Sequence, residues 1–161
     1  MYITLDEYSR IYDSMDERLF NRLCIEACRH MDIHTTGIDN VKKLCKAFPK
    51  DTYDAELVKH CAAKIVNFLY QINEAEIAAV TARRYEFTEQ GMRGKVVASV
   101  SAGNESISYS VGNFSATAID AAVKDKTVLK AMIGNIIWES LSGVSDANGV
   151  NLLYMGRYPR V

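Results

Sequence analysis

Lys95-Val-Val-Ala-Ser-Val-Ser-Ala-Gly-Asn-Glu-Ser-Ile-Ser-Tyr-Ser-Val111 is the one strongly two-periodic stretch in a chain that otherwise reads as helix. Val96, Ala98 and Val100 alternate with Val97, Ser99 and Ser101, and beyond Glu105 the series Ile107, Tyr109, Val111 alternates with Ser106, Ser108, Ser110. Alternation of this kind places one set of side chains on each face of a strand. Gly103 and Asn104 sit between the two series and tolerate the positive φ that a tight antiparallel connection requires. The stretch therefore predicts a β-hairpin inserted between helical blocks. One face is small and apolar and the other is nearly all serine, so burying both faces within one subunit would gain little. The apolar face is expected to be covered by something else.

Upstream lies the longest predicted helix, from Asp54 to Thr81 or beyond. Leu57, Val58, Cys61, Ile65, Phe68, Leu69 and Ile72 fall within an arc of about 140° at helical spacing, opposite Lys59, His60, Lys64, Asn67 and Gln71. Arg83 to Gly94 breaks that period and reads as an exposed, mobile lead into the hairpin. Downstream, Gly112 to Ala118 is a bridge of small residues. A single helix is then expected from Ile119 to about Leu141, where Val128, Leu129, Met132, Ile133, Ile136 and Ile137 make an apolar surface wider than one stripe. Such a helix sits at the centre of a bundle or also faces a neighbour.

The N-terminal part is helical too. Thr4-Leu5-Asp6-Glu7 has the form of a capping box opening a helix to about Tyr12, and Ser14-Met15-Asp16-Glu17 repeats it. The second helix, with Leu19, Phe20, Leu23, Ala27 and Met31 on one side, is expected to reach Ile33. Thr35, Thr36 and a left-handed Gly37 would close it. Val41, Leu44 and Cys45 mark one or two further turns before Pro49. After a loop at Ser142 to Gly149, the tail from Val150 to Val161 is too apolar to be left in water, and Gly156 and Pro159 keep it from becoming a helix. Leu152 and Leu153 are equally suited to packing on their own subunit or docking elsewhere, whereas docking elsewhere is expected of the last five residues.

The 161 residues suit a single domain spanning positions 1–161, and a net charge of −1 lacks the basic excess with which nucleic-acid binders neutralise phosphates. No apolar run suggests a membrane span or a signal peptide, so a chain made in the cytoplasm is expected. Cys24, Cys28, Cys45 and Cys61 read as reduced core thiols. Chemistry is hard to assemble from these residues. Cys24, Cys28, His30 and His34 share one helix, but Cys28 and His30 point about 160° apart and Cys24 lies about 15 Å along the axis from His34. One ion cannot hold all four. His60 and Cys61 are helix neighbours that do not face each other, and no phosphate loop or dinucleotide fingerprint occurs. No catalytic, cofactor or metal residue is assigned. The competing expectation is a small intracellular helical thiol- or metal-binding protein or enzyme built on the cysteines and histidines.

Taken in order, these features resemble the head-tail connector (adaptor) proteins of tailed bacteriophages. Ile3, Thr4, Glu7 and Tyr8 match the family's Ile-Thr-x-x-Glu-Tyr opening. Ser99, Ser101, Ile107, Ser108, Tyr109 and Ser110 match its serine-tyrosine hairpin, and Leu152, Leu153, Tyr154 and Gly156 match its Gly-Leu-Leu-Tyr-Arg-Gly end. The chain departs from that pattern at Val100, where the family often has an acid, at Asn151, which replaces a glycine, and at Met155, which replaces the arginine while Arg157 follows two residues later. The resemblance implies a mainly α fold: a small helical bundle with one inserted β-hairpin and an extended C-terminal tail.

It also implies a structural, non-enzymatic virion protein at the head–tail interface of a phage or prophage. Copies would close into a ring, commonly a dodecamer, beneath the portal protein, extending the DNA channel and meeting a stopper or tail-completion protein. DNA would pass without sequence-specific binding. Val96, Ala98, Val100, Ile107, Tyr109 and Val111 would form the subunit interface, and Leu152, Leu153, Tyr154, Arg157 and Tyr158 would dock on the portal. Tyr109→Asp is then expected to block ring closure while circular dichroism still reports a folded helical bundle; an unfolded variant would place the hairpin in the core instead.

Overall fold

The Thr4 amide donates to the Glu7 carboxylate at 2.9 Å and the Glu7 amide donates to the Thr4 hydroxyl at 3.3 Å, so the predicted capping box is formed. It opens α1 (Leu5–Ser9), which stops short of the expected Tyr12; the Ile11 and Tyr12 amides share the Tyr8 carbonyl just beyond its end. The computed structural model describes residues 1–88, 100–102, 105–107 and 116–159. Tyr8 is buried, with its ring 5.6 Å from that of Phe20 on the next helix.

That helix, α2 (Glu17–Thr35), is capped by Asp16 rather than Ser14, because the Asp16 carboxylate accepts from the Arg18 and Leu19 amides. Phe20, Leu23, Cys24, Ala27 and Met31 form its buried face, and Leu19 packs partly buried beside them. Its end lies two residues beyond the expected one. The Thr35 hydroxyl donates to the Met31 carbonyl and the Thr36 hydroxyl to the Asp32 carbonyl, so two side chains satisfy the last turn. Gly37 does not take the left-handed conformation expected of it; Asn40, at φ 58°, does so in the turn that follows. What Gly37 supplies is space, since a Cβ there would overlap the Gly156 carbonyl oxygen. A one-turn α3 (Lys43–Lys46) follows.

Asp51 accepts from the Tyr53 and Asp54 amides and so starts α4 (Thr52–Thr88), a helix of 37 residues. At 1.5 Å per residue it is about 55 Å long. Val58, Cys61, Ala62, Ala63, Ile65, Val66, Leu69 and Ile72 are buried along it, while His60, Lys64 and Gln71 face water as expected. The backbone stays helical from Arg83 to Thr88, where a break was expected, because no glycine or proline interrupts that run. Residues 89–94 lie outside the described residues.

Within the predicted hairpin, β1 (Val100–Ala102) pairs antiparallel with β2 (Glu105–Ile107), Val100 opposite Ile107 and Ala102 opposite Glu105. A ribbon running from Lys95 to Val111 is not seen: the ladder has three residues per strand. The rest of the stretch, including Val96, Ala98, Tyr109 and Val111, lies outside the described residues, as do residues 112–115 of the small-residue bridge.

The single helix expected over Ile119 to Leu141 is two, α5 (Ala116–Lys124) and α6 (Lys126–Leu141). Asp125 separates them: its backbone is extended and its carboxylate accepts from the Thr127 amide at 2.7 Å, which makes it the cap of a new helix. The protein is thus mainly α, with α2, α4 and α6 in mutual contact around the core and α5 packed on α4 and α6. Ile133, Ile137 and Leu141 bring α6 into that core. Gly134 lies where a Cβ would come within 3.2 Å of the His34 ring, so its small size sets the approach of α6 to α2. Among the described residues no helix is long and apolar enough to cross a membrane.

Gly37→Ala should lower unfolding stability by about 1–3 kcal/mol, because the added carbon meets backbone that cannot rotate away. Gly134→Ala, which meets only the edge of an imidazole, should cost less, and the ordering is readable from urea midpoints.

Candidate docking surfaces

Lys43 lies on α3 with its whole side chain buried, and its ammonium donates to the Leu152 carbonyl at 3.0 Å and to the Tyr154 carbonyl. Burial pushes its pKa below the usual lysine value, while the nearby charges of Asp146 and Asp39 act in the opposite direction. A buried cation is tolerated only where oxygen atoms replace its water. Here those oxygens come from the C-terminal segment, 109 residues further along the chain.

The same segment is held at four more points. Asp39 accepts from the Tyr158 amide at 2.6 Å and from the Val41 amide at 3.3 Å, and these backbone donors keep its carboxyl below the usual range. Asp146, also buried, accepts from the Asn148 and Val150 amides at 2.9 Å each and from the Tyr158 hydroxyl. Burial raises the pKa of that hydroxyl, which Asn148 contacts through its amide nitrogen at 2.8 Å. Lys46, one turn after Lys43, lies 4.3 Å from the Tyr158 ring centroid, a geometry worth about 0.5–1 kcal/mol at an exposed site. Finally the Ile38 amide donates to the Met155 carbonyl at 3.0 Å where Gly37 and Gly156 cross.

Of the residues expected to dock on another protein, Leu152 and Tyr158 are buried in their own chain, 0% and 7% exposed. Tyr158, expected to dock elsewhere, has its ring against Lys46 of α3 and donates its hydroxyl to Asp146. Leu153 is half-buried against the core. Tyr154, Met155 and Arg157 remain exposed, and residues 160–161 lie outside the described residues. Of the expected subunit-interface residues, Val100 and Ile107 are brought opposite each other.

A second surface lies between α4 and α6. Tyr12, Phe68, Met132 and Ile136 line a groove of about 520 Å³ rimmed by Lys64 and Glu139. Trp138, on α6, is 64% exposed. The broad apolar surface read from the sequence of this helix is therefore split between core and groove.

The thiols differ from one another. Cys24 and Cys61 are buried, Cys28 is partly so, and Cys45 is exposed, contrary to its expected place in the core. Cys45 lies on the outer side of the short α3, within 3.2 Å of the Tyr2 hydroxyl. A hydrogen bond from Cys24 and the Tyr2 amide lower the pKa of Cys28, and burial raises that of Cys61 to about 12. Among the described residues no three His, Cys, Asp or Glu side chains are placed to hold a metal ion.

Lys43, Asp39 and Asp146 escaped the sequence reading. The one signal for Lys43 is a lysine between Val41 and Leu44 at the start of a turn, and Asp146-Ala-Asn-Gly149 reads only as a loop. No family model, curated protein or solved structure matches the chain.

Lys43→Met keeps the aliphatic stem and removes the donors, leaving two buried carbonyls unpaired at about 1–3 kcal/mol. Hydrogen exchange of the Ile38 and Leu152 amides should accelerate accordingly, while amides in the middle of α4 keep their protection.

Proposed function

We propose that the chain is a head-tail connector subunit of a tailed bacteriophage or prophage, a structural protein acting as one unit over residues 1–161. The observation that carries this reading is the ordered series of family-like motifs, whose first and last members both have mechanical work in the bundle. Ile3 and Tyr8 of the opening are buried, Thr4 and Glu7 close the capping box, and Leu152 of the end is fully buried. A motif of that kind describes how the subunit is built and does not need a reaction.

In this proposal copies close into a ring, commonly of twelve, beneath the portal protein. The ring extends the DNA channel and offers its other side to a stopper or tail-completion protein. Heterologous contacts that close by rotation are what such a ring requires. The Lys95–Val111 stretch, through Val96, Ala98, Val100, Ile107, Tyr109 and Val111, supplies contact between neighbours. Exposed Ile77 and Val80 on α4 suit the same assembly. The portal contact falls to Tyr154 and Arg157, the members of the expected docking set that are exposed. The protein works in the virion and needs no cofactor.

Purified protein mixed with DNA-filled, portal-bearing heads should appear in negative-stain images as an added ring of density under the portal. Heads that remain bare at micromolar protein would overturn the proposal, whereas a monomer in free solution would not, since the portal can template closure.

A further inference from the structure

Ile38, Tyr154 and Met155 are 72%, 52% and 54% exposed, a high exposure for three large apolar side chains. They are neighbours by construction, because the Ile38 amide is bonded to the Met155 carbonyl and the Tyr154 carbonyl is bonded to Lys43 just below. Arg157 joins them, sharing with Ile38, Asp39 and Tyr158 an open cleft of about 580 Å³. Lys46 lies over the Tyr158 ring, and Lys42 pairs with Thr36 across the same turn.

The charge of this face is net positive, with Lys42, Lys46 and Arg157 set against the exposed carboxylate of Asp39, which its backbone donors hold ionised. Lys42, Lys46 and Arg157 are exposed and, among the described residues, have no carboxylate within salt-bridge distance. The acid within the cleft, Asp39, is committed to two backbone amides. A chain of net charge −1 thus gathers three unpaired cations around three exposed apolar side chains. Tyrosine, methionine and arginine are the residue types enriched where proteins recognise proteins. The backbone beneath them is already ordered by Lys43, Asp39 and Asp146, so binding there would not have to order it.

We infer that this face is a preformed docking surface for an acidic protein segment that carries apolar side chains between its carboxylates. The segment meets the tail as a folded surface and does not peel it from Lys43. The identity of the partner as the portal rests on the connector reading; the chemistry of the surface does not.

Two measurements test it. The first titrates isotope-labelled full chain with a synthetic twelve-residue peptide alternating glutamate with leucine and phenylalanine, and with a control peptide carrying lysine for glutamate. Amide shifts should gather at Ile38, Tyr154, Met155 and Arg157, with the acidic peptide only. Arg157→Glu and Lys42→Glu should each weaken binding by at least about tenfold, since a glutamate then faces an acid. Met155→Ser should weaken it without changing its salt dependence. Equal shifts with both peptides, or no shifts at this face, overturn the inference.

The second measurement repeats the portal-bearing head assay with the same variants. Wild-type binding that Arg157→Glu and Lys42→Glu leave intact overturns the inference while the connector reading stands. Bare heads with wild type, alongside selective peptide shifts, remove the connector reading and leave the docking surface supported.

Discussion

The C-terminal segment of this protein is anchored by one buried ammonium. Lys43 has no water around it, so its charge must be met by protein oxygens, and the carbonyls of Leu152 and Tyr154 are the ones that meet it. Because those carbonyls belong to an extended segment with no ladder partner along most of its length, the obligation is mutual. The lysine needs the segment to be there, and the segment needs a donor that its own backbone cannot supply. Asp39 and Asp146 then meet the Tyr158 amide and hydroxyl, leaving its ring to lie against Lys46. An apolar tail that looked destined for another protein is in this way largely spoken for by its own chain.

The helical bundle beneath has a different logic, which is steric. Alanines and β-branched residues alternate with larger side chains along the buried face of α4, and Gly134 lets α6 come close to His34 on α2. Gly37 does the same where two loops cross, and Gly156 leaves room for the Tyr154 ring. These glycines are used for closeness, and neither Gly37 nor Gly134 has the positive φ that sequence reasoning looks for first. The bundle buries the apolar surface and the polar clamps fix what lies on top of it.

How much of this was legible follows from the range of the interactions. The Thr4–Glu7 box, the buried face of α2 and the register of α4 depend on residues three to eight positions apart, and the pattern of side chains showed them. The limits of helices were read less well. Asp125 lies inside the stretch expected to be one helix, and its backbone geometry shows that it ends one helix and caps another. Asp16 took the cap from Ser14 because a carboxylate can reach two amides at once. The candidate surface was half legible: Tyr154 and Arg157, expected to dock on another protein, are exposed, but the burial of Leu152 and Tyr158 depends on partners whose separation in sequence no local period encodes. The alternation in Lys95–Val111 suggested a hairpin over that whole stretch, which is not seen; among the described residues Val100–Ala102 pairs with Glu105–Ile107.

The burial of Leu152 has a consequence for the order in which the subunit matures. Leu152 sits at the centre of contacts with elements translated long before it, and its amide bonds to the Val144 carbonyl while its own carbonyl serves Lys43. On a growing chain α2 and much of α4 are complete while Lys43 still faces an empty slot, its head group hydrated. Sealing that slot is therefore among the last steps of folding, limited by the loop closure that brings distant residues together. Until it happens the nascent subunit carries an open apolar seam beside a charged side chain, and the arrival of a few late residues both dries the seam and hides the charge.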